Sequence, residues 1–418
     1  MVQALSIVEN VMWGILTFSI LVVMHEGGHF LAARAFGVKV HEFMIGLPGP
    51  ALRFHARDMD WGVTAVPLGG YVRIAGMEPG TEDPLVGETL AAVRDHGIAE
   101  PRALARLLGV DEDRAEALLF TVEDWKAVRR EKDGSVVPTI AGDIAGATPT
   151  ELADRARSVT YRGQSTPKRI AILAMGVITN LLVAILTLTA FFAIFGYYES
   201  TTVISGVGED SPAQVAGLLD GDEIVAVDGE RFETADRFLT IMSRTNPGDT
   251  AIISVIREGT ALDLPVTLGG RDGHGYLGVN LSGVPRKPGI IESVGMSLSY
   301  VRLVFQVIGD LFDPATFSGT VRNFTGPIGV SVMAEQAASG GPLAYASLIA
   351  MLSLSLGIMN ILPIPPLDGG KIALEIIERV IGRPLSRAVT LGFSAVGTVL
   401  LFGLIGIIMY QDIIRYAL

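Results

Sequence analysis

The 418-residue chain contains no cysteine. Disulfides are therefore excluded, and thiolates cannot serve as metal ligands, so any zinc must be held by His, Asp or Glu. Charge is also scarce. Only 18% of residues are Asp, Glu, Lys or Arg, against 49% hydrophobic, and the mean hydropathy is +0.46. A chain this poor in charge is too apolar for an ordinary soluble enzyme; it implies several membrane spans and leaves length for one or two small soluble modules. The net charge of −12 gives no general case for nucleic acid. No basic stretch precedes the first apolar run, which therefore reads as a retained span and not as a cleavable leader.

That run begins near Val11 and ends in His25-Glu26-Gly27-Gly28-His29. On a helix, positions 25 and 29 are one turn apart, so both imidazoles project from one face and can share a metal, while Glu26 can reach a metal-bound water. Zinc suits two imidazoles and one oxygen ligand, with a fourth position left for water. Isolated histidines are ordinarily structural. Three ionisable groups within an apolar segment, however, are costly enough to mark a site. A third ligand must come from elsewhere. Asp368 is the only acid between Ala338 and Leu374 and follows a helix interrupted by Pro363, Pro365 and Pro366. Unwound backbone at membrane depth is tolerated where it is buried in protein or lines water. The alternative role, an Asp capping a helix over 369–380, is compatible with this one.

Four spans are predicted: roughly 5–24, with the helix continuing to about Phe36 and Gly37 as its stop; 170–195; 343–362; and 388–410. The distribution of Lys and Arg around them puts residues after the first span, before the second and after the third in the cytoplasm, with both termini outside. The organisation expected is a first span with the motif and a β-hairpin (1–77), a polar helical cytoplasmic insert (78–165), the second span (166–198), an extracytoplasmic module (199–283), an extracytoplasmic connector (284–342) and the last two spans (343–418).

Asp60–Val66 and Tyr71–Ile74 read as two short strands joined by a turn at Pro67-Leu68-Gly69-Gly70. They form either a surface hairpin or an edge that accepts an extended peptide beside the site. In the insert, Ala103–Asp111 and Arg114–Leu119 resemble a helix-turn-helix followed by a wing-like Asp133-Gly134 turn, but acids outnumber bases there. A DNA-binding face should be basic, so a regulatory or protein-contact domain is expected. The module from 199 to 283 combines a short helix after Ser211, a strand at Glu223–Val227 and a hairpin around Glu258-Gly259. It resembles a bacterial PDZ domain, the bland alternative being a generic β-sandwich fragment. Tyr276, Leu277, Gly278 and Val279 resemble its ligand loop in a circularly permuted arrangement.

The motif at 25–29, Pro67-Leu68-Gly69-Gly70-Tyr71-Val72, the PDZ-like module, Gly326-Pro327-Ile328-Gly329 and Asn360-Ile361-Leu362-Pro363-Ile364-Pro365-Pro366-Leu367-Asp368-Gly369-Gly370 together resemble the site-2 protease family, in particular the bacterial regulator of sigma-E protease type. The resemblance spans nearly the whole chain except the insert. It implies a polytopic α-helical membrane protein with a membrane-associated β-hairpin and an inserted PDZ-like α+β domain. It implies Zn2+ held by His25, His29 and Asp368, with Glu26 as catalytic base. Asn360 and the strand region Gly69, Gly70, Tyr71 and Val72 are implied to lie near substrate. One departure is visible: the second span reads Met175-Gly176-Val177-Ile178-Thr179-Asn180, with Val177 where the family has proline.

The implied activity is hydrolysis of peptide bonds within transmembrane segments of single-span, membrane-anchored proteins such as anti-sigma factors or signal-peptide remnants. The implied setting is a bacterial inner membrane, with the active site toward the cytoplasm and room for an upstream site-1-type protease. A catalytically silent scaffold would not need Glu26. A metal transporter would need further acids through its spans. The PDZ-like module would act as a filter against bulky external domains or as a recruiter of newly cut ends, the filter being favoured.

Overall fold

The computed structural model describes residues 2–77, 83–131, 135–271 and 273–416. They cluster into two compact units, Met1–Thr189 with Val294–Leu418, and Ala190–Ser293. In the first unit, α1 (Val2–Ala35) carries the first apolar run and the histidine motif without a break. It stops where Gly37 takes φ +76, a left-handed conformation that favours glycine.

A four-stranded sheet follows: β1 (Val40–Ile45), β2 (Ala51–Ala56), β3 (Met59–Thr64) and β4 (Gly70–Ile74), in the order β2-β3-β1-β4. The hairpin expected over Asp60–Ile74 does not form, because β1 lies between its two strands, parallel to β3 and antiparallel to β4. The true hairpin is β2–β3. Its turn places Arg57 and Asp58 at φ 53 and 65, as a tight two-residue connection requires. That leaves the other edge of β3 open to β1, whose Val40, Phe43 and Met44 are buried. Phe30 of α1, Phe43 and Trp61 stack with ring centroids 5.4–5.8 Å apart, seating the sheet against the motif helix.

The polar insert has its own core. α2 (Val86–His96), α3 (Pro101–Leu108), α4 (Glu112–Asp124) and α5 (Pro149–Ser158) enclose Leu90, Leu104, Leu118, Val122, Trp125 and Leu152. Asp111 caps α4, and a Thr148/Glu151 capping box starts α5. The strands β5 (Val128–Arg130) and β6 (Val136–Pro138) pair, while the Asp133-Gly134 turn lies outside the described residues. α6 (Thr166–Phe195) is unbroken through Val177, which is buried.

The second unit contains β7 (Tyr197–Val207), α7 (Pro212–Val215), β8 (Glu223–Val227), β9 (Glu230–Arg231), α8 (Ala235–Met242), β10 (Thr250–Arg257), β11 (Thr260–Thr267), β12 (Gly269–Arg271), β13 (His274–Tyr276) and β14 (Val279–Arg286). Its sheet runs β11-β10-β8-β7-β14, with β9 beside β8, and β12 pairs with β13. β10 and β11 form the hairpin expected around Glu258-Gly259. Ile204, Leu218, Ile224, Phe238, Ile253 and Val255 fill the core. Buried Asp222 is gripped by Arg257 through two bonds of 2.7 Å and accepts the Leu219 N–H.

Residues 284–342 were expected to form an external connector. Instead, α9 (Ile290–Asp310) is long and apolar enough to cross a membrane, as are α1, α6, α12 (Pro342–Met359) and α14 (Arg387–Tyr416), giving five such helices among the described residues where four spans were expected. It is the least apolar of the five, since Glu292, Arg302, Gln306 and Asp310 dilute the apolar signal; Ser297 lies inside, paired with Thr189 at 3.1 Å. After α9 come α10 (Phe317–Asn323) and α11 (Pro327–Ser339). The Gly326-Pro327-Ile328-Gly329 motif is the start of α11, where the buried Asp412 carboxylate of α14 accepts the N–H groups of Gly326 and Gly329 at 3.0 and 2.9 Å. A carboxylate there satisfies orphan donors and complements the helix dipole. α13 (Asp368–Ile381) follows the proline-interrupted stretch.

Candidate metal centre

α1 presents His25 and His29 from one face, as helical spacing dictates. The prolines after α12 end that helix, and Asp368 becomes the first residue of α13. Its carboxylate faces the two histidines. His25 Nε2 and His29 Nε2 lie 2.9 and 3.0 Å from Asp368 Oδ2 and 3.2 Å from each other. All three residues are buried. These separations lie close to the roughly 3.3 Å edge of a tetrahedron with ~2.0 Å bonds, and two imidazoles plus one carboxylate with a fourth position open is a catalytic zinc donor set. The residues therefore fit the metal. Lys371 approaches the other Asp368 oxygen at 3.4 Å.

α6 supplies the outer contacts. His29 Nδ1 donates to the Ile172 carbonyl at 2.8 Å, fixing its tautomer with Nε2 toward the site. Asn180 is fully buried, and its side-chain amide lies 3.4 Å from His25 Nδ1 while its Oδ1 has no partner among the described residues. With Oδ1 turned toward His25, the amide accepts the Nδ1–H and both groups are satisfied. Close approach of α6 rests on glycine. A Cβ on Gly176 would lie 2.4 Å from His29 Nε2 and 2.8 Å from His25 Cε1, and one on Gly28 would lie 2.4 Å from the Met175 carbonyl. Gly28 and Gly176 stand in the two motifs, but their packing role and the contact of Ile172 were not anticipated from the sequence. Small residues within spans were the available signal.

Glu26 sits next to the histidines, and its Oε2 accepts the backbone N–H of Val72 at 3.1 Å. Val72 lies opposite Phe43 on β4, the edge strand of the first sheet. The sheet thus delivers an outward N–H to the carboxylate. The start of the strand lies beside α1, where Ser19 donates to the Pro67 carbonyl at 2.7 Å, while a Cβ on Gly70 would come within 2.9 Å of the Met44 carbonyl of β1. Tyr71 donates to Glu42 at 3.4 Å. Asn360, at the end of α12, turns its side-chain amide back to Leu356, while its carbonyl accepts the Gly369 N–H at 2.7 Å. In the other unit, Leu277 is buried and Gly278 takes φ +85; their carbonyls accept the N–H groups of Ala213 and Gly208. Tyr276 stacks on Arg271, and Val279 opens the edge strand β14 opposite Val207.

The insert is fastened to the same sheet. Lys126 Nζ donates to the Val40 carbonyl at 2.8 Å and to the Asp58 carbonyl, and Lys39 Nζ donates back to the Lys126 carbonyl at 3.0 Å. Burial lowers the pKa of both lysines. His41 donates to the Asp124 carbonyl at 2.7 Å, and burial carries its pKa down to about 4. The Asp124 carboxylate accepts the Gly76 N–H at 3.0 Å, two residues beyond β4.

The sequence pattern of Peptidase family M50 matches residues 13–404. The chain is 29% identical over 415 residues to zinc metalloprotease RasP of Shouchella clausii, covering 95% of this chain and 96% of that protein. It is 28% identical over 425 residues to the probable protease eep of Enterococcus faecalis, covering 96% and 98%. Among solved structures, the PDZ domain of an SdrC-like protein from Listeria monocytogenes is similar at 24% identity and a TM-score of 0.18, covering 20% of this chain and 90% of that one.

Proposed function

The chain belongs to peptidase family M50, the site-2 proteases, and is a zinc metalloprotease of the membrane; from that premise we propose that it cuts peptide bonds inside the transmembrane segments of single-span proteins. The observation that carries this reading is the meeting of His25, His29 and Asp368 within buried, span-forming helices, beside a carboxylate held by a sheet edge.

In this reading His25, His29 and Asp368 hold the metal. When bound, zinc supplies Lewis acidity toward a scissile carbonyl and acidifies a water. Glu26 takes the proton from the attacking water and returns it to the leaving amine. The Val72 N–H keeps Glu26 aimed at that position, and Ile172 and Asn180 keep the imidazoles in their ligating tautomers. A helical substrate shields its own amides, so it must unwind before it is cut. The outer edge of β4 around Gly69, Gly70, Tyr71 and Val72 holds the unwound chain by strand addition through its outward groups other than the Val72 N–H, which Glu26 accepts, with Asn360 near its freed backbone. The protein works in a bacterial inner membrane with the centre toward the cytoplasm. Its natural substrates are membrane-anchored regulators or signal-peptide remnants already trimmed by an upstream site-1-type protease. The Ala190–Ser293 unit is a PDZ domain whose open edge strand β14 and Tyr276–Val279 loop screen substrates, so its removal permits cleavage of uncut proteins with bulky external domains.

The test is cleavage of a tagged single-span substrate by the purified protein. Activity is expected to vanish with a chelator and to return with zinc. Glu26→Gln should lower turnover about 10²- to 10⁴-fold with metal content unchanged. Full activity in that variant would end the proposal.

A further inference from the structure

Beyond the catalytic centre, the first unit carries a cavity of about 1060 Å³ at the start of α6. Arg157 of α5, Arg162 from the turn that follows, Arg169 of α6, Arg379 of α13 and Arg383 just past it line this cavity, against Glu378 as the one acidic lining residue among the described residues. Glu378 is itself engaged, accepting the Leu385 N–H at 3.0 Å. Arg169 pairs with Glu375 at 3.0 Å, yet its Nε is buried with no hydrogen-bond partner among the described residues. The N-terminal turn of the 30-residue α6 opens onto the same place at Thr166 and Pro167, adding the positive end of a helix dipole. Arg379 and Arg383 make no ion pair among the described residues, and positive charge left over in this way, beside the Arg169 guanidinium, is a seat for a phosphate group.

The adjoining face of α13 decides which phosphate. Ile376, Ile377, Val380 and Ile381 are 49%, 41%, 81% and 50% exposed, one turn from the cavity's arginines. A free anion has no use for an apolar stripe. A phospholipid uses both surfaces, its headgroup on the arginines and its chains along the isoleucines, as basic pockets at the ends of membrane helices do. We infer that this cavity binds the headgroup of an anionic phospholipid at the membrane surface. A lipid seated there holds the far end of the helix that begins at Asp368.

The experiment is native mass spectrometry of the full-length protein in detergent, titrated with phosphatidylglycerol or phosphatidylcholine. The protein should retain phosphatidylglycerol selectively. Arg379→Gln/Arg383→Gln should weaken that binding about thirtyfold, whereas Arg102→Gln/Arg129→Gln, on the insert surface, should not change it. Metal content and unfolding temperature check that the variants are folded. If the double variant does not fold, Arg383→Gln alone, outside any helix, should weaken binding about fivefold. Equal retention of the two lipids, or equal loss in the insert-surface variant, would overturn the inference. So would inorganic phosphate that binds with the same dependence on Arg379 and Arg383, since that identifies a site for the free ion.

Discussion

Two buried carboxylates separate the two units of the molecule. Asp222, in the Ala190–Ser293 unit, is fully enclosed and answered in full: Arg257 grips both its oxygens and the Leu219 N–H adds a third bond. Asp368, among the span helices, is nearly as buried but faces two imidazoles, with Lys371 at 3.4 Å as its one Lys or Arg partner among the described residues. The surroundings differ in the same sense. The Ala190–Ser293 unit buries Ile253, Val255 and Val266 around that one acid, Asp222, whereas the span helices bury His25, His29, Asn180 and Ser353 and expose Leu186, Val399 and Phe402. In a water-facing fold a buried acid with its own arginine is part of the framework. Among apolar spans, a buried acid with neither an arginine nor the backbone donors that answer Asp412 is left for something the chain does not supply.

Replacing the two acids gives the sharpest break. Asp368→Ala or His25→Ala should lose both bound zinc and cleavage, measured by elemental analysis and turnover, while the fold persists. Asp222→Ala should keep zinc and catalysis and cost the Ala190–Ser293 unit about 1–3 kcal/mol in calorimetry, the lower part of the range because Arg257 reaches solvent. Zinc retained at full affinity in Asp368→Ala would erase the contrast. Arg257 holds the Asp222 carboxyl below the usual carboxylate range. Its contribution is therefore complete at neutral pH and fades only as pH falls through that range toward the lowered value.

Outer contacts come next. Asn180→Ala should weaken zinc binding about ten- to a hundredfold, read by competition with a chelating dye. Unchanged affinity would return Asn180 to a packing role. Val72→Pro removes the N–H that Glu26 accepts without taking a donor from the β1–β4 ladder. Turnover should fall roughly tenfold with zinc retained; wild-type turnover would show that Glu26 needs no such partner.

The smallest effect concerns the insert. His41 titrates near 4 in the fold against 6.5 when free, so the unfolded chain binds more protons between those values. Its contribution is complete above about 6.5 and is lost as pH falls toward 4. Proteolysis of the insert should accelerate over that window, and His41→Gln should flatten the dependence. A profile identical in both proteins would exclude His41.

What could be read from the chain alone was whatever is local or rare. The histidine spacing, the lone acid after the prolines, the Gly37 stop and the Glu258-Gly259 turn each depend on residues close in sequence. Contacts across the chain were out of reach: Val72 meets Glu26 from 46 positions away, and Asp368 meets His25 from 343. β1 escaped notice because His41 and Glu42 interrupt its apolar pattern, although it occupies the middle of its sheet. α9 was hidden by Glu292, Arg302, Gln306 and Asp310, which interrupt its apolar run. The insert's attachment through Lys39, Lys126 and His41 runs to backbone carbonyls, which any residue offers and no pattern advertises.

The glycines between α1 and α6 carry a mechanical consequence. Gly28 and Gly176 leave no room for even a methyl group between the two helices and the imidazoles. Neither helix can roll or slide against the other without driving backbone into a histidine ring. The pair behaves as a single stiff frame, and the hinge that admits a substrate must lie in other helices.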